Sequence, residues 1–600
     1  MRIHQPGSHL TRGQRAEVGD WSWRRTRRRL QTLYRLARPY TGRTALALVA
    51  LIGATAAALL PPYLVGRTVD QVQHGATSEL VWLVAAFLAV GVLGIVLGYG
   101  QTYFTGWTGE RMLADLRENV FGHLQRLSLG FYERNRAGVI ISRLTNDVEA
   151  LDQLVTDGVT SLVQNTLILG GSAVVLFLLD WRLALATLIV VPAMGIATGW
   201  FRKHSGRAYR AVRETLGAVT ATLAEDIAGM RVLQAFTRER AAQENFREVA
   251  DTYRMANLQT VVLNGVYFPV VDFLSTIATA VVLGYGGWLV SNGDVSIGTL
   301  VAFLGYLTNF FDPVQQLSQL YNTFLSAVAA LDKITDLLDE EPDVRDRPGA
   351  GDLPPIRGRV AFEDVHFAYG RGPEVLHGID LDVPAGTTVA LVGHTGAGKS
   401  TIAKLLARFY DPTGGRVTID GVDLRDVRQQ SLRRQLGIVP QEGFLFAGTV
   451  ADNIAFGRPE ASRQEIVAAA RAVGADEFVT RLENGYDTEL GERGSRLSLG
   501  QRQLVAFARA LLADPGVLIL DEATSSVDIG TERRIELALR RLLHGRTAFI
   551  IAHRLSTIRD ADLIVVLEHG MVVEQGTHAE LLASPAGRYR SLYGDWAEVA

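Results

Sequence analysis

The chain has 600 residues, 48% of them hydrophobic, with 60 basic residues against 63 acidic ones and no cysteine. That length exceeds what one hydrophobic core organises, so two or more domains are expected. A net charge of −3 gives no electrostatic case for nucleic acid as a partner, and the absence of cysteine excludes disulfides, thiolate metal sites, a cysteine nucleophile and thiol redox chemistry.

Residues 1–43 hold eleven Arg against two acids, with Trp21 and Trp23 beside Arg24, Arg25, Arg27, Arg28 and Arg29. A membrane-surface segment and a disordered basic tail over 1–30 both fit this composition, and both put the N-terminus in the cytoplasm. The basic stretch is too long for a cleaved signal peptide, so the first apolar helix is expected to be its own membrane signal.

Six segments then have the length and apolarity of membrane spans: 44–65, 80–100, 158–179, 183–201, 261–290 and 297–319. The first four contain no charged side chain. Their connections are unequal. Those near 66–79, 180–182 and 291–296 are short, with Arg67 and Arg182 as their basic residues, whereas 101–157 and 202–260 are long and rich in Arg. The positive-inside rule puts the long ones in the cytoplasm. Their polar, Pro-poor sequences stay compatible with helix, so the membrane helices are expected to continue into the cytoplasm as arms tens of ångströms long, at ~1.5 Å per residue. Two acids fall within the spans, Asp272 in the fifth and Asp312 in the sixth. A role toward a cation or proton and a structural role, with Asp312 holding backbone groups freed at Pro313, both stand.

The transmembrane domain is expected over 31–338, followed by a Pro-, Gly- and acid-rich linker over 339–357 and a soluble domain over 358–600. There, a strand over 388–392 runs into Gly393-His394-Thr395-Gly396-Ala397-Gly398-Lys399-Ser400-Thr401. This is a phosphate-binding loop. Its glycines let backbone N–H groups approach phosphate, Lys399 has the reach for the β and γ groups, Ser400 offers a hydroxyl to Mg²⁺, and a helix N-terminus follows. Farther on, the apolar run Val517-Leu518-Ile519-Leu520 ends in Asp521-Glu522. At a strand end Asp521 is suited to hold Mg²⁺ through water, and Glu522 to orient or deprotonate the attacking water.

From about residue 30 onward the chain resembles the ATP-binding cassette exporters. Leu497-Ser498-Leu499-Gly500-Gln501-Arg502-Gln503 looks like the family signature, and the run from Asp521 to Asp528 matches its Walker B and D-loop pattern. The resemblance implies an all-α transmembrane domain of six helices fused to an α/β P-loop nucleotide-binding domain with a helical subdomain. It implies ATP and Mg²⁺ as cofactors, with Ser400, Gln441 and Asp521 around the metal. It implies that Lys399, Gln441, Glu522 and His553 act in hydrolysis. Tyr369 is then expected to stack on adenine, and Gly393, Thr395, Gly396, Gly398, Lys399, Ser400 and Thr401 to hold the phosphates. Ser498, Gly500, Gln501 and Asp528 are expected to contact nucleotide too, the signature residues meeting the partner's. Residues 131–138, with Ser142, Arg143 and Asp147, resemble the first coupling region of the family, and 225–236 the second.

One half cannot complete an ATP site, so the resemblance implies a second half-transporter. The family usually has Gly where this signature has Leu499; a homodimer and the competent half of a heterodimer both remain. The implied activity is ATP-driven export or flipping of a small hydrophobic or amphipathic substrate (drug, lipid or peptide) across the cell (inner) membrane by alternating access. Import of a siderophore or peptide on the same fold, or a non-transport cassette ATPase, are the alternatives. Beyond its second half, the chain's expected partners are membrane lipid and substrate, not nucleic acid.

Overall fold

A computed structural model describes residues 37–75, 77–441, 443–521, 529–552, 554–585 and 587–599. The basic tail over 1–30 lies outside the described residues. The chain divides into two units. One runs up to Gln125 and again from Ala137 to Glu340; the other joins Arg126–Arg136 to everything from Glu341 onward.

Among its described residues the first unit has helices and turns and no strand. Its six long helices are α1 (Thr41–Gln73), α2 (Thr77–Arg126), α3 (Val159–Leu179), α4 (Val191–Ala228), α5 (Glu239–Ser291) and α6 (Ile297–Leu338). Six helical stretches in the described residues are long and apolar enough to cross a membrane. As expected from the polar, Pro-poor connections, α2 and α5 continue well past their apolar windows. The 50 residues of α2 amount to about 75 Å of helix. The expected span 183–201 lies within the membrane-length stretch Trp181–Ala228, which a turn interrupts. A short helix, Trp181–Thr187, is followed by a turn over 188–190, and α4 begins at Val191 with Pro192 in its first turn. Proline has no N–H to donate and so sits well at a helix start and badly in a helix interior. The short helix is capped by Asp180, whose Oδ1 accepts from the Arg182 and Leu183 amides at 2.8 and 3.0 Å.

Small residues set the closest approach in this unit. At the ends of α1 and α6, a Cβ on Gly298 would fall 2.0 Å from the Gly66 carbonyl oxygen. Asp70 closes the contact: its Oδ1 accepts from the Gly298 amide and its Oδ2 from the Ser296 hydroxyl, both at 2.8 Å. The N-terminus of α6 is thereby capped from a different helix. Deeper in, Asp272 of α5 accepts from Gln315 of α6 at 2.8 Å. Asp312 is exposed, and α6 runs through Pro313 without interruption.

The second unit contains two sheets. Strands β1 (Val360–Ala368), β2 (Glu374–Val383), β4 (Gly414–Ile419) and β5 (Val422–Asp423) form an antiparallel sheet in the order β2-β1-β4-β5. A second sheet uses β3 (Thr388–Val392), β6 (Leu436–Val439), β7 (Val517–Asp521), β8 (Thr547–Ile551), β9 (Leu563–Glu568) and β10 (Met571–Gly576), in the order β10-β9-β3-β8-β7-β6. From β9 to β6 every neighbouring pair is parallel. Their apolar runs follow from that arrangement, since a parallel sheet is covered on both faces; all five residues of β8 are buried. The Pro- and Gly-rich stretch after Glu341 is fastened to this unit: Leu353 is buried, its amide donates to Ser431 Oγ at 2.8 Å, and Ile356 N donates to Gln435 Oε1 at 3.0 Å.

Candidate functional site

The parallel strands β3, β8, β7 and β6 end on the same edge of the sheet, the edge where ligands bind in open α/β folds. β3 leads into the loop 393–398 and then into helix α7 (Lys399–Leu406). Two glycines make the loop's path possible. Gly393 has φ +147°, and a Cβ there would lie 2.2 Å from the Leu567 carbonyl oxygen; Gly398, at φ +105°, would clash with Leu376 at 2.6 Å. His394, Thr395, Gly396 and Ser400 are exposed, whereas Thr401 is buried. Lys399 lies back over the loop. Its Nζ donates to the Gly393 and His394 carbonyls at 2.6 and 3.0 Å. Burial pushes its pKa down from the ordinary lysine value, against the opposing pull of the Asp521 carboxylate.

Asp521 is the last residue of β7 and is half-buried. Its neighbour β6 pairs in register, Val439 with Leu520, so Gln441, two residues past β6 and exposed, leaves the sheet on the same edge. The loop that follows Gln441 rests on a helix: a Cβ on Gly443 would come 3.1 Å from the Arg502 carbonyl oxygen. That helix is α8 (Leu499–Ala513). Ser498 caps it in a reciprocal box, its Oγ accepting from the Gln501 amide at 3.3 Å while its own amide donates to Gln501 Oε1 at 2.9 Å. Gly500 is buried in the first turn and Leu499 half-buried beside it. A capped start to a 15-residue helix keeps its remaining N–H groups and positive dipole end available to an anion.

Tyr369 follows β1 directly. Its ring stands edge-on to Phe367 and Tyr410, with centroids 4.7 and 5.1 Å away, and its hydroxyl lies 3.1 Å from Thr401 Oγ1. Lys404 Nζ sits 5.4 Å from the centre of the same ring. This expected site residue is therefore tied to the helix that begins at the phosphate loop. Glu522, Asp528 and His553 lie outside the described residues.

Two supports went unread in the sequence. Arg509 of α8 donates to the Asn453 and Phe444 carbonyls at 2.8 and 3.1 Å, and Asn453 in turn holds Phe446 through two bonds of 2.9 Å. This pair fixes the loop after Gln441 to the signature helix. The second is Glu133, within the stretch 131–138, which meets Lys404 and Tyr410. Neither has a sequence signal, because each joins residues far apart in the chain.

The family model described as the ABC transporter transmembrane region matches residues 44–314, and the one described as ABC transporter matches 376–525. An uncharacterized ABC transporter ATP-binding protein, YknV, of Bacillus subtilis (strain 168) is 44% identical over 91% of this chain and 90% of its own length. The chain belongs to the ABC transporter family. An ATP-dependent lipid A-core flippase of Syntrophus aciditrophicus (strain SB) is 39% identical over 94% of this ABC transporter and 93% of the relative. Among solved structures, a bacterial Atm1-family ABC exporter with ATP bound superposes with a TM-score of 0.78 at 34% identity, covering 93% of this chain and 98% of that one. The transporter thus has the exporter fold, a six-helix membrane domain fused to an ATPase, and couples ATP hydrolysis to export. It is a half-transporter, a fold that implies a dimer.

Proposed function

We propose that two copies of this transporter pair in the cell (inner) membrane, with their ATPase units in the cytoplasm, and move a hydrophobic or amphipathic compound outward. The observation that carries this reading is the convergence of the phosphate loop, Asp521 and Gln441 on one sheet edge of a chain that also holds six apolar helices. The basic connections 101–157 and 202–260 support a cytoplasmic position for that unit. The flippase among the relatives supports an amphipathic substrate.

In this reading Lys399 leaves the Gly393 and His394 carbonyls for the β and γ phosphates, and the amides of the loop, with Thr395, Gly396 and Gly398, cradle them. The donor set suits Mg²⁺, which favours oxygen ligands: Ser400, Gln441 and Asp521 supply a hydroxyl, an amide oxygen and a carboxylate. Bound there, the ion neutralises phosphate charge. Glu522 orients the attacking water and takes its proton, and His553 donates to the γ-phosphate. Tyr369 offers its face to adenine, and Thr401 fixes that ring through its hydroxyl. Ser498, Gly500, Gln501 and Asp528 act on the nucleotide of the second copy. Leu499 retains its backbone N–H, so the signature keeps its phosphate donors and two identical copies suffice. ATP then drives closure because it binds the closed pair more tightly than the open one.

The test is Mg²⁺-dependent ATP hydrolysis by the chain purified alone into lipid vesicles, beside Glu522→Gln. Turnover in the first and its loss in the second support the reading. Turnover unaffected by the substitution overturns the role of Glu522. ATP binding without turnover overturns pairing between identical copies.

A further inference from the structure

The membrane unit contains a cavity of about 390 Å³ between α1, α2 and the start of α3, a size typical of ligand pockets. Its wall is hydrocarbon, from Leu48 and Leu51 of α1, Met112 of α2 and Val159 and Val163 of α3. One polar atom in that wall is unaccounted for. Thr108 is 5% exposed, and its Oγ1 has no hydrogen-bond partner. The hydroxyl of Thr44, also in the wall, is already spent on the Tyr40 carbonyl at 3.0 Å. A buried hydroxyl left unpaired destabilises the fold, and an apolar void adds its own penalty. Both costs vanish if the occupant carries a hydrocarbon chain with a hydrogen-bond acceptor at one end.

The depth of the cavity narrows the chemistry. Arg43 immediately precedes the apolar run of α1, and its guanidinium lies 3.4 Å above the Trp107 ring. Tyr40 packs edge-on against the same ring at 5.8 Å, and Arg111 lies 5.6 Å from it. Trp and Tyr with cationic side chains at a span's end mark the headgroup layer of a bilayer. Among the described residues neither Arg43 nor Arg111 is in an ion pair, while the nearby Asp115 accepts from Tyr40 at 2.6 Å and Glu110 is exposed. The residues Thr44, Leu48 and Leu51 occupy the first two turns inside that layer. On the orientation proposed above, this is the cytoplasmic leaflet.

We propose that the cavity is a resident lipid site for an anionic phospholipid. One acyl chain fills the apolar space, its ester carbonyl accepts from Thr108 Oγ1, and its phosphate faces Arg43 and Arg111. The geometry matches the order of groups in such a lipid: phosphate at the headgroup layer, ester one step inward, hydrocarbon beyond. The site is separate from the ATPase and from Asp272 and Asp312, and its occupant is bound rather than transported.

The experiment uses the full chain, purified in mild detergent, reconstituted into vesicles of phosphatidylcholine and phosphatidylglycerol, re-extracted and weighed intact by native mass spectrometry. The wild type is expected to retain one phosphatidylglycerol per chain. Thr108→Val, close in shape and without the hydroxyl, is expected to fold normally and to weaken retention up to about tenfold, the value of one hydrogen bond. Arg43→Gln with Arg111→Gln is expected to erase the preference for phosphatidylglycerol over phosphatidylcholine, and Leu48→Trp, which fills the cavity, to abolish retention. Equal retention by wild type and Thr108→Val would overturn the proposal. So would a wild type that retains no lipid until residues 1–30 are deleted, since the chain's own N-terminal segment would then be the occupant. Loss of the lipid one for one as an amphipathic dye is transported would make the cavity a substrate site instead, and would equally overturn it.

Discussion

Glu133 and Lys404 are 271 residues apart, yet the carboxylate accepts from the lysine Nζ at 2.8 Å, and its second oxygen accepts from the Tyr410 hydroxyl at 2.7 Å. Glu133 belongs to the short helix Leu129–Arg134, and Lys404 to α7, which starts at the phosphate loop. Tyr410 and Lys404 both border the Tyr369 ring. The short helix Leu129–Arg134 is in this way joined, through Glu133, Lys404 and Tyr410, to the residue expected to hold adenine.

Glu133→Ala is expected to lower substrate moved per ATP several-fold while leaving hydrolysis at saturating ATP within about twofold, because the substitution touches no group at the phosphates. Parallel transport and hydrolysis assays on one preparation check it. The bond also has a pH signature. Burial favours the neutral carboxyl of Glu133, but the hydrogen bonds from Lys404 and Tyr410 outweigh it and hold the pKa below the ordinary glutamate value. A group whose pKa is lowered on folding contributes fully above its unfolded pKa, about 4.3, and loses that contribution as pH falls through the folded value. Melting curves of wild type and Glu133→Ala should therefore differ near neutrality and converge in acid.

Lys399→Ala removes the one cation that spans the phosphate loop and is expected to reduce hydrolysis by ~10²-fold or more, the scale seen when a preorganised charge-stabilising donor is lost. Lys399→Arg is expected to do nearly as badly. The space between Gly393 and His394 holds an ammonium that donates to two carbonyls, and a planar guanidinium does not fit that geometry. Steady-state ATPase rates of both variants decide the point.

Ser498 caps α8 and, in the proposed function, meets the nucleotide of the second copy; two substitutions separate these roles. Ser498→Ala loses the cap and is expected to cost about 1 kcal/mol of stability as well as activity. Ser498→Asp keeps a good cap and the stability that goes with it, but sets a negative charge against phosphate, so hydrolysis should fall at least as far. Thermal melts and ATPase rates for the pair should thus rank in opposite orders.

At the far end of α1 and α6, Gly298→Ala forces a methyl against the Gly66 carbonyl oxygen and Asp70. The cost expected of such overpacking is about 1–3 kcal/mol. Asp70→Ala removes the acceptor of both the Gly298 amide and the Ser296 hydroxyl without strain and should cost a comparable amount, about 1–3 kcal/mol. Detergent-solubilised melting temperatures, with hydrolysis as a control, check both.

Most of the architecture could be read from residue patterns that are local. The apolar runs locate six spans because a bilayer demands length and apolarity over consecutive residues. The phosphate loop is legible for the same reason: its chemistry needs particular residues at fixed spacing, and the strand expected over 388–392 is β3 itself. What the sequence reading left out was local detail or remote partners. The fourth span lies where expected, within Trp181–Ala228, and Pro192 accounts for the turn over 188–190 inside it. Nothing in the sequence pairs Glu133 with Lys404, Asp70 with Gly298, or Arg509 with Asn453, because each contact depends on how distant elements pack. The roles of Glu522, Asp528 and His553 rest on sequence alone.

The central claim, that ATP closes two copies of this chain upon each other, has one direct measurement. The chain has no cysteine, so Glu460→Cys, an exposed position, gives one spin label per copy without further changes. In a Glu522→Gln background, where bound ATP persists, pulsed electron-spin distance measurement in lipid is predicted to show a single pair distance that shortens when ATP and Mg²⁺ are added and returns when they are removed. A distance that ATP leaves unchanged, or no paired signal at all, would contradict it.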